Sequence, residues 1–176
     1  MDTTLSRLAF ATVLLLAAPD AAHAEFCTPV ESGLDDFGIA PLGNTSLTRM
    51  DRLATIMDGS NFEGNGVLNY RDRRGIFYAV DALSETAGVL DEKSITVADW
   101  RGPLPFGLRR SMGPDAAAAH FQRRYGIALK PDLQVEDVIR LSSGLCLRNA
   151  NGTFAIRLEF QPTDRLSVIE ITDHTW

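Results

Sequence analysis

The strongest constraint on the fold is a hairpin signal near the carboxyl end of the chain. The dipeptide Asn151-Gly152 stands between two runs of strand-forming residues, 145–150 and 153–160. Such a dipeptide favours a two-residue turn in which both central residues have positive φ, and this turn joins antiparallel strands. In the second run apolar side chains recur at every other position: Phe154, Ile156, Leu158 and Phe160. We therefore expect an antiparallel sheet with one packed face and one wetter face.

Further strands are predicted where the apolar pattern has a period of two. A hairpin is expected from Val67 to Val80, with its turn at Asp72–Gly75. Single strands are expected at Ser94–Trp100 and Leu166–Thr172.

Two stretches have apolar residues at helical spacing and predict helices. The first begins near Thr48, a residue type that caps helices, and ends at Gly59. The second runs from Pro114, which suits a first helical turn, to Tyr125. A third, short helix is predicted over 134–141. Helices followed by strands favour an α+β fold, in which the helices pack on one face of the antiparallel sheet.

The chain divides into two halves of similar layout. Each half has a loop with proline and glycine, then a helix, a glycine and a three-stranded meander. We therefore predict a first α+β unit over residues 25–100 and a second over residues 101–176, in tandem. Few residues are identical between the halves, so the alternative is one α+β domain with two unrelated halves.

Residues 1–24 have the three-part layout of an export signal. Arg7 precedes an apolar run, Leu8–Ala18, and Ala22-His23-Ala24 supplies small residues at the −3 and −1 positions of a cleavage site. The apolar run is too short to cross a membrane, which needs about 20 residues, and no later segment reaches that length. We therefore predict cleavage after Ala24 and a periplasmic or secreted location.

Cys27 and Cys146 are the two cysteines of the chain. In an oxidising compartment such a pair most simply forms a disulfide, which would tie the start of the exported chain to its second half. The alternative is two separate buried thiols. A metal site is not expected, because only His120 and His174 would be available to complete it.

Charge argues against a nucleic-acid partner. The chain has a net charge of −6, and residues 1–24 contain one Arg and two Asp, so the rest of the chain keeps a net charge of −5. An acidic chain is unsuited to nonspecific binding of a phosphate backbone, which requires a basic surface.

The sequence contains no convincing catalytic constellation. It has no Gly-x-Ser-x-Gly elbow, no His-Glu-x-x-His pair and no phosphate-binding glycine loop. His120 lies off the apolar stripe of the second helix, where an exposed or boundary histidine is expected. We therefore predict a protein without enzymatic activity and without a cofactor. The alternative is a small envelope hydrolase that uses a carboxylate and His120.

Arginines and large aromatic residues stand out as candidates for binding another protein, because these residue types dominate interface energetics. The predicted partner-binding residues are Tyr70, Arg71, Arg73, Arg74, Tyr78, Trp100, Arg109 and Arg110. On an acidic chain, clustered arginines favour an acidic partner. The alternative is that the aromatic residues belong to the core and that the arginines only solubilise the surface.

The segment Leu104–Gly126 resembles the opening of a small envelope domain, in which a helix ending in glycine precedes an antiparallel meander. From about residue 34 to 172 the layout is similar to that of the beta-lactamase inhibitor protein family, where two such units are joined in tandem. It is also similar to small outer-membrane assembly lipoproteins, which carry one unit, and to periplasmic immunity proteins of secreted toxins. The chain departs from these patterns at Gly113, which replaces the usual Ser or Thr cap, in its lack of a lipid-bearing cysteine, and in an extra segment at 130–142.

The resemblance implies a module that acts by protein–protein contact as an inhibitor or immunity protein. A factor for assembly or maintenance of the cell envelope is the first alternative. Another is a structural component whose exposed edge strand adds to a neighbour's sheet.

Overall fold

The fold comes from a computed structural model, which describes residues 27–31, 34, 37–57, 66–132, 138–144, 146–149, 152–162 and 165–173. The predicted export signal and His174 lie outside the described residues.

The described residues form two α-helices, a short 3-10 turn and eleven strands. The helices are α1, Leu47–Leu53, and α2, Pro114–Tyr125, and the 3-10 turn is Pro105–Gly107. The strands are β1 Thr28–Pro29, β2 Gly43–Ser46, β3 Ala54–Ile56, β4 Val67–Asp72, β5 Ile76–Ala82, β6 Ala87–Thr96, β7 Lys130–Pro131, β8 Ile139–Ser142, β9 Leu147–Asn149, β10 Gly152–Phe160 and β11 Leu166–Asp173.

The strands belong to one sheet, whose main path has the order β1-β9-β10-β11-β6-β5-β4-β3. One side of the long strand β6 pairs with β5, while the other side pairs first with β2 and then with β11. β8 lies beside the second half of β10, and β7 beside β8. These pairings are antiparallel, whereas β1 runs parallel to β9. The predicted α+β class and mainly antiparallel sheet are confirmed.

Helix α2 has the predicted bounds, and Gly126 ends it in the left-handed conformation, with φ of 70°. The first helix is shorter than predicted. It begins after Ser46, whose hydroxyl accepts a hydrogen bond from the Arg49 N–H at 3.4 Å, and it ends at Leu53. The next three residues form β3, because pairing with β4 supplies backbone hydrogen bonds that outweigh a weak helical preference.

The predicted helix over 134–141 is wrong where the structure describes it. Ile139–Ser142 is strand β8, which pairs with β10 along Arg157–Phe160. A short apolar run does not distinguish helix from strand by its period, and here the second half of β10 offered an edge for pairing.

The strand predicted at Ser94–Trp100 lies earlier, at Ala87–Thr96. The backbone N–H groups of Asp99 and Trp100 both bond the Thr96 carbonyl, so the chain turns before Trp100. The hairpin predicted near Asn151 is confirmed by the antiparallel pairing of β9 with β10, in which Gly152 lies opposite Asn149, and Asn151 itself lies outside the described residues.

A single hydrophobic core lies between the two helices and one face of the sheet. The helices contribute Leu47, Met50, Ala117 and Phe121 to it. Inward-facing strand residues complete the core, among them Tyr70, Ile76, Tyr78, Val80, Ile95, Ile156, Leu158, Ile169 and Ile171. Full burial of an Ile, Leu or Phe side chain stabilises the fold by about 1.5–3 kcal/mol. We call the other side of the sheet, which carries Arg71, Phe77, Ser94, Arg157 and Glu170, the open face.

The predicted disulfide is present between Cys27 and Cys146, which are separated by 119 positions. The short β1–β9 ladder continues from it, with the Thr28 N–H donating to the Cys146 carbonyl at 3.1 Å. The disulfide thus attaches the start of the described chain to the β9–β10 side of the sheet. Within the described ranges, no helix is long and apolar enough to cross a membrane.

Candidate functional site: an arginine-lined groove

The turn between β4 and β5 and the segment that follows β6 border a groove of about 490 Å³. We call it the arginine groove. It is lined by Arg71, Asp72, Arg73, Arg74, Gly75, Asp99, Trp100, Arg101 and Gly102.

The first wall of the groove is organised by the buried carboxylate of Asp72. Its Oδ1 accepts hydrogen bonds from the backbone N–H groups of Arg74 and Ile76, both at 2.9 Å. Its Oδ2 accepts one from the Tyr78 hydroxyl at 3.0 Å. Charge-assisted bonds of this kind are stronger than neutral ones. The carboxylate therefore fixes the turn that carries the exposed side chains of Arg73 and Arg74.

The second wall is organised around the half-buried ring of Trp100. The indole Nε1–H donates to the Pro103 carbonyl at 2.9 Å, and the Arg110 guanidinium donates to the Trp100 carbonyl. A Cβ at Gly102 would lie only 3.3 Å from the indole nitrogen, so the close approach of the backbone favours glycine there. These contacts hold the aromatic ring in place without help from a partner.

The arginine groove carries an excess of positive charge, with four arginines and two aspartates in its lining. Arg71 pairs with Asp99 at 3.1 Å, and Arg74 lies 3.6 Å from Asp72. Arg73 and Arg101 are exposed and make no hydrogen bond or ion pair with any other described residue. A guanidinium presents a planar fork of donors that matches a carboxylate. The groove therefore offers an incoming acid two guanidinium groups that no described residue pairs, and we call these two groups uncommitted.

Four of the predicted partner-binding residues line this groove: Arg71, Arg73, Arg74 and Trp100. Arg110 supports it from behind through its bond to the Trp100 carbonyl. Arg109 is exposed and lies outside the lining. Arg101 and Asp99 were missing from the predicted set, although their position next to Trp100 was an available signal.

Tyr70 and Tyr78, also predicted as partner-binding, are core residues in the structure. Both are 0% exposed, because strand alternation turns them inward while Arg71 and Phe77 face outward. The Tyr70 hydroxyl donates to Asp51 at 3.1 Å, and burial with this contact raises the pKa of Tyr70 to about 12. Burial also raises the pKa of Tyr78. We therefore leave both tyrosines out of the candidate surface.

A second charged cluster lies on the open face, and we call it the open-face network. It consists of Glu92, Asp132, Arg140, Arg157, Glu159 and Glu170. Arg140 Nε donates to Glu159 Oε1 at 2.9 Å, and Arg157 donates to Glu170 Oε1 at 2.7 Å. Arg157 Nε lies 3.8 Å from Asp132 Oδ2. Each arginine of the network is thus ion-paired with a carboxylate of the same cluster, although Arg157 Nε is buried and has no hydrogen-bond partner among the described residues.

Two carboxylates of the open-face network, Glu92 and Glu170, resist ionisation. Burial raises the pKa of Glu170, the charge of Glu92 adds to the effect, and Arg157 opposes it. Burial likewise raises the pKa of Glu92, against a hydrogen bond from Ser94 and the charge of Arg157. Desolvation therefore outweighs pairing at both positions.

His120 takes part in a structural contact. Its Nε2 lies 2.8 Å from the Phe106 carbonyl, which also accepts a hydrogen bond from the Tyr125 hydroxyl at 3.0 Å. Phe106 has φ of 59°, the left-handed conformation that is strained for a residue with a side chain. His120 and Tyr125 thus stabilise an unusual backbone conformation. Among described residues no carboxylate bonds His120, as the hydrolase alternative would require.

The described residues contain no group of three His, Cys, Asp or Glu side chains arranged to hold a metal ion.

The comparisons with known proteins add no relative. No protein-family model matches the chain, and neither the curated proteins nor the solved structures give a significant match.

Proposed function

We propose that this protein is an exported, protein-binding module of the inhibitor or immunity type, and that its arginine groove receives an acidic segment of a partner protein. The observation that carries the proposal is the pair of uncommitted guanidiniums, Arg73 and Arg101, beside the fixed ring of Trp100. An aromatic ring next to exposed arginines has the composition of an interface hot spot.

The charge distribution favours a protein over a polyanion. The whole chain carries a net charge of −6, which opposes long-range attraction of nucleic acid or of an anionic membrane surface. The groove presents a local excess of positive charge. A protein with a single exposed acidic segment fits this pattern, because it meets the groove without extended contact with the acidic remainder.

Export is supported by the layout of residues 1–24 and by the disulfide between Cys27 and Cys146, a bond typical of compartments outside the cytoplasm. The tandem arrangement draws support from the strand order β8-β10-β11-β6-β5-β4. Two three-stranded meanders joined along their last strands, β11 and β6, would have this order, in keeping with the resemblance to the beta-lactamase inhibitor protein family.

The test is a comparison of charge reversals at and away from the groove. The oxidised protein, isolated from the cells that make it, is immobilised and exposed to an extract of the cell envelope and medium. The groove variant is R73E/R101E, and the matched control is R109E/R123E, which reverses two exposed arginines outside the groove.

We expect one partner to bind the natural protein and the control equally and to bind the groove variant about 100-fold more weakly, as for two desolvated charge pairs. The partner's own activity should fall when the natural protein is added. Equal capture by all three proteins would contradict the proposed role of the groove. A partner that binds but keeps full activity would replace inhibition by the envelope-assembly alternative.

A further inference from the structure

We infer that the acidic segment of the partner is extended and adds as a new strand to the free edge of β3, before its acidic residues enter the arginine groove. This inference rests on the proposed function and specifies the conformation and composition of the bound segment.

Among the described strands, β3 is the last on one side of the sheet, and its outer edge pairs with no other described strand. The Met57 N–H bonds the Asn69 carbonyl at 2.9 Å, so Thr55 and Met57 direct their backbone groups toward β4. The intervening residue Ile56 therefore directs its N–H and C=O away from the sheet. These groups have no partner among the residues that the structure describes. An extended peptide is the ligand that pairs with such an edge.

Exposed apolar side chains lie at the same corner. The described residues include three large apolar side chains that are exposed, and two of them are Leu53, at 44%, and Ile56, at 48%. The third, Leu83, lies in the β5–β6 connection and provides a natural control. Leu53 and Ile56 can cover the apolar residues of an added segment.

The groove lies within reach of this edge. Thr55 and Ala54 pair with Arg71 and Asp72, two residues of the groove lining. An added strand would lie two strand spacings from β4, or about 10 Å. About three extended residues cover that distance. The bound segment should therefore contain apolar residues that pair with β3, and acidic residues within about three positions of them.

A second copy of this chain fits the edge poorly. Pairing two β3 edges around a two-fold axis would bring the two arginine grooves toward each other. Each groove carries four arginines against two aspartates, so their charges would repel. A separate acidic protein has the complementary charge.

The probe is a library of random linear peptides displayed on phage, selected against the oxidised protein. We expect the enriched peptides to combine a short apolar, strand-forming run with Asp or Glu within about three positions. Binding of a synthetic enriched peptide should slow hydrogen exchange of the Ile56 amide. Binding should also weaken about tenfold in Ile56→Pro, which removes the outward N–H, a change that edge strands tolerate.

Two variants separate strand pairing from simple apolar contact. Ile56→Ala shortens the side chain and keeps the N–H, so it should bind more tightly than Ile56→Pro. Leu83→Ala, which shortens an exposed apolar side chain away from β3, should bind as the natural protein does. If Ile56→Pro does not fold, hydrogen exchange of the Ile56 amide in the natural protein decides the question.

The inference is overturned if no peptide is enriched, if enriched peptides lack acidic residues, or if the Ile56 amide exchanges at the same rate with and without peptide. A concentration-dependent homodimer through β3 would also overturn it. These failures are separable from failure of the proposed function. If R73E/R101E loses the folded partner while Ile56→Pro retains it, the function stands and strand addition is wrong.

Discussion

The arginine groove and the open-face network both consist mainly of arginines and acidic residues. They differ in whether the arginines are paired with those acids. In the network, Arg140 and Arg157 contact carboxylate oxygens at 2.9 Å or less, and acidic residues outnumber arginines. In the groove, arginines outnumber aspartates, and Arg73 and Arg101 have no acidic partner among the described residues. The arginines of the network are paired within the network, whereas the groove leaves positive charge for a partner.

The difference originates in the backbone. Cross-strand pairing sets Arg157 opposite Glu170 and Arg140 opposite Glu159, so the sheet itself places an acid beside each arginine. Arg73 and Arg101 lie on a turn and a loop, where no facing strand supplies a carboxylate. Arginine on a regular strand thus contributes to the sheet, and arginine on a connection is available for binding.

The largest expected effect concerns the disulfide, which lies next to β9, at the same end of the strand order as the network strand β10. The double variant C27A/C146A should lose about 4 kcal/mol of unfolding free energy, because the bond closes a loop of more than 100 residues. Denaturant unfolding measures this loss. The folded variant should keep its groove affinity, since β9 and the groove are at different ends of the strand order. If the variant is fully folded but binds the partner more weakly, the disulfide region and the arginine groove are not independent.

The second prediction compares one arginine from each region. Arg157→Leu should destabilise the protein by about 2 kcal/mol, because it leaves the buried carboxylate of Glu170 without its cation. Arg73→Leu should change stability by less than about 0.5 kcal/mol, as for an exposed residue without contacts. Thermal and denaturant unfolding of the pair give the values. Equal losses would show that the two regions do not differ as described.

The smallest effect is a pH dependence of stability confined to the network. Burial places the folded-state pKa of Glu92 above its unfolded value, so ionisation of this group opposes folding. The contribution of Glu92 to the free energy of unfolding should therefore become more favourable as the pH falls from neutral through the raised pKa of the folded state. It should level off below the pKa of the unfolded state. Glu92→Gln should be more stable than the natural protein at pH 7 and lose this part of the pH dependence. Arg73→Leu, as the groove control, should keep the natural pH profile, and an unchanged profile in Glu92→Gln would contradict the assignment.

Local pattern was sufficient to predict those elements whose burial follows a single period. Alternation identified the strands that became β4, β5 and β10, and helical spacing with Pro114 and Gly126 identified α2. It failed at Ile139–Ser142, where an apolar run too short to have a clear period joined the edge of β10.

The candidate site was predictable only in part, because its two walls are far apart in sequence. Arg71 and Asp99 are 28 positions apart and meet only because the chain turns after β6. Composition pointed to the arginines and Trp100, but it could not exclude Tyr70 and Tyr78, whose burial depends on which strand face meets the helices. Strand register, which is set by long-range pairing, decides which residues face the core.

The central claim is that the uncommitted charge of the arginine groove binds an acidic partner without contributing to the stability of the fold. The most direct measurement is calorimetric titration of the captured partner with the natural protein, R73E/R101E and R109E/R123E, together with their unfolding midpoints. We predict about 100-fold weaker binding for R73E/R101E alone, or about 2.7 kcal/mol, and equal midpoints for all three proteins. Equal affinity for R73E/R101E and R109E/R123E would contradict the claim.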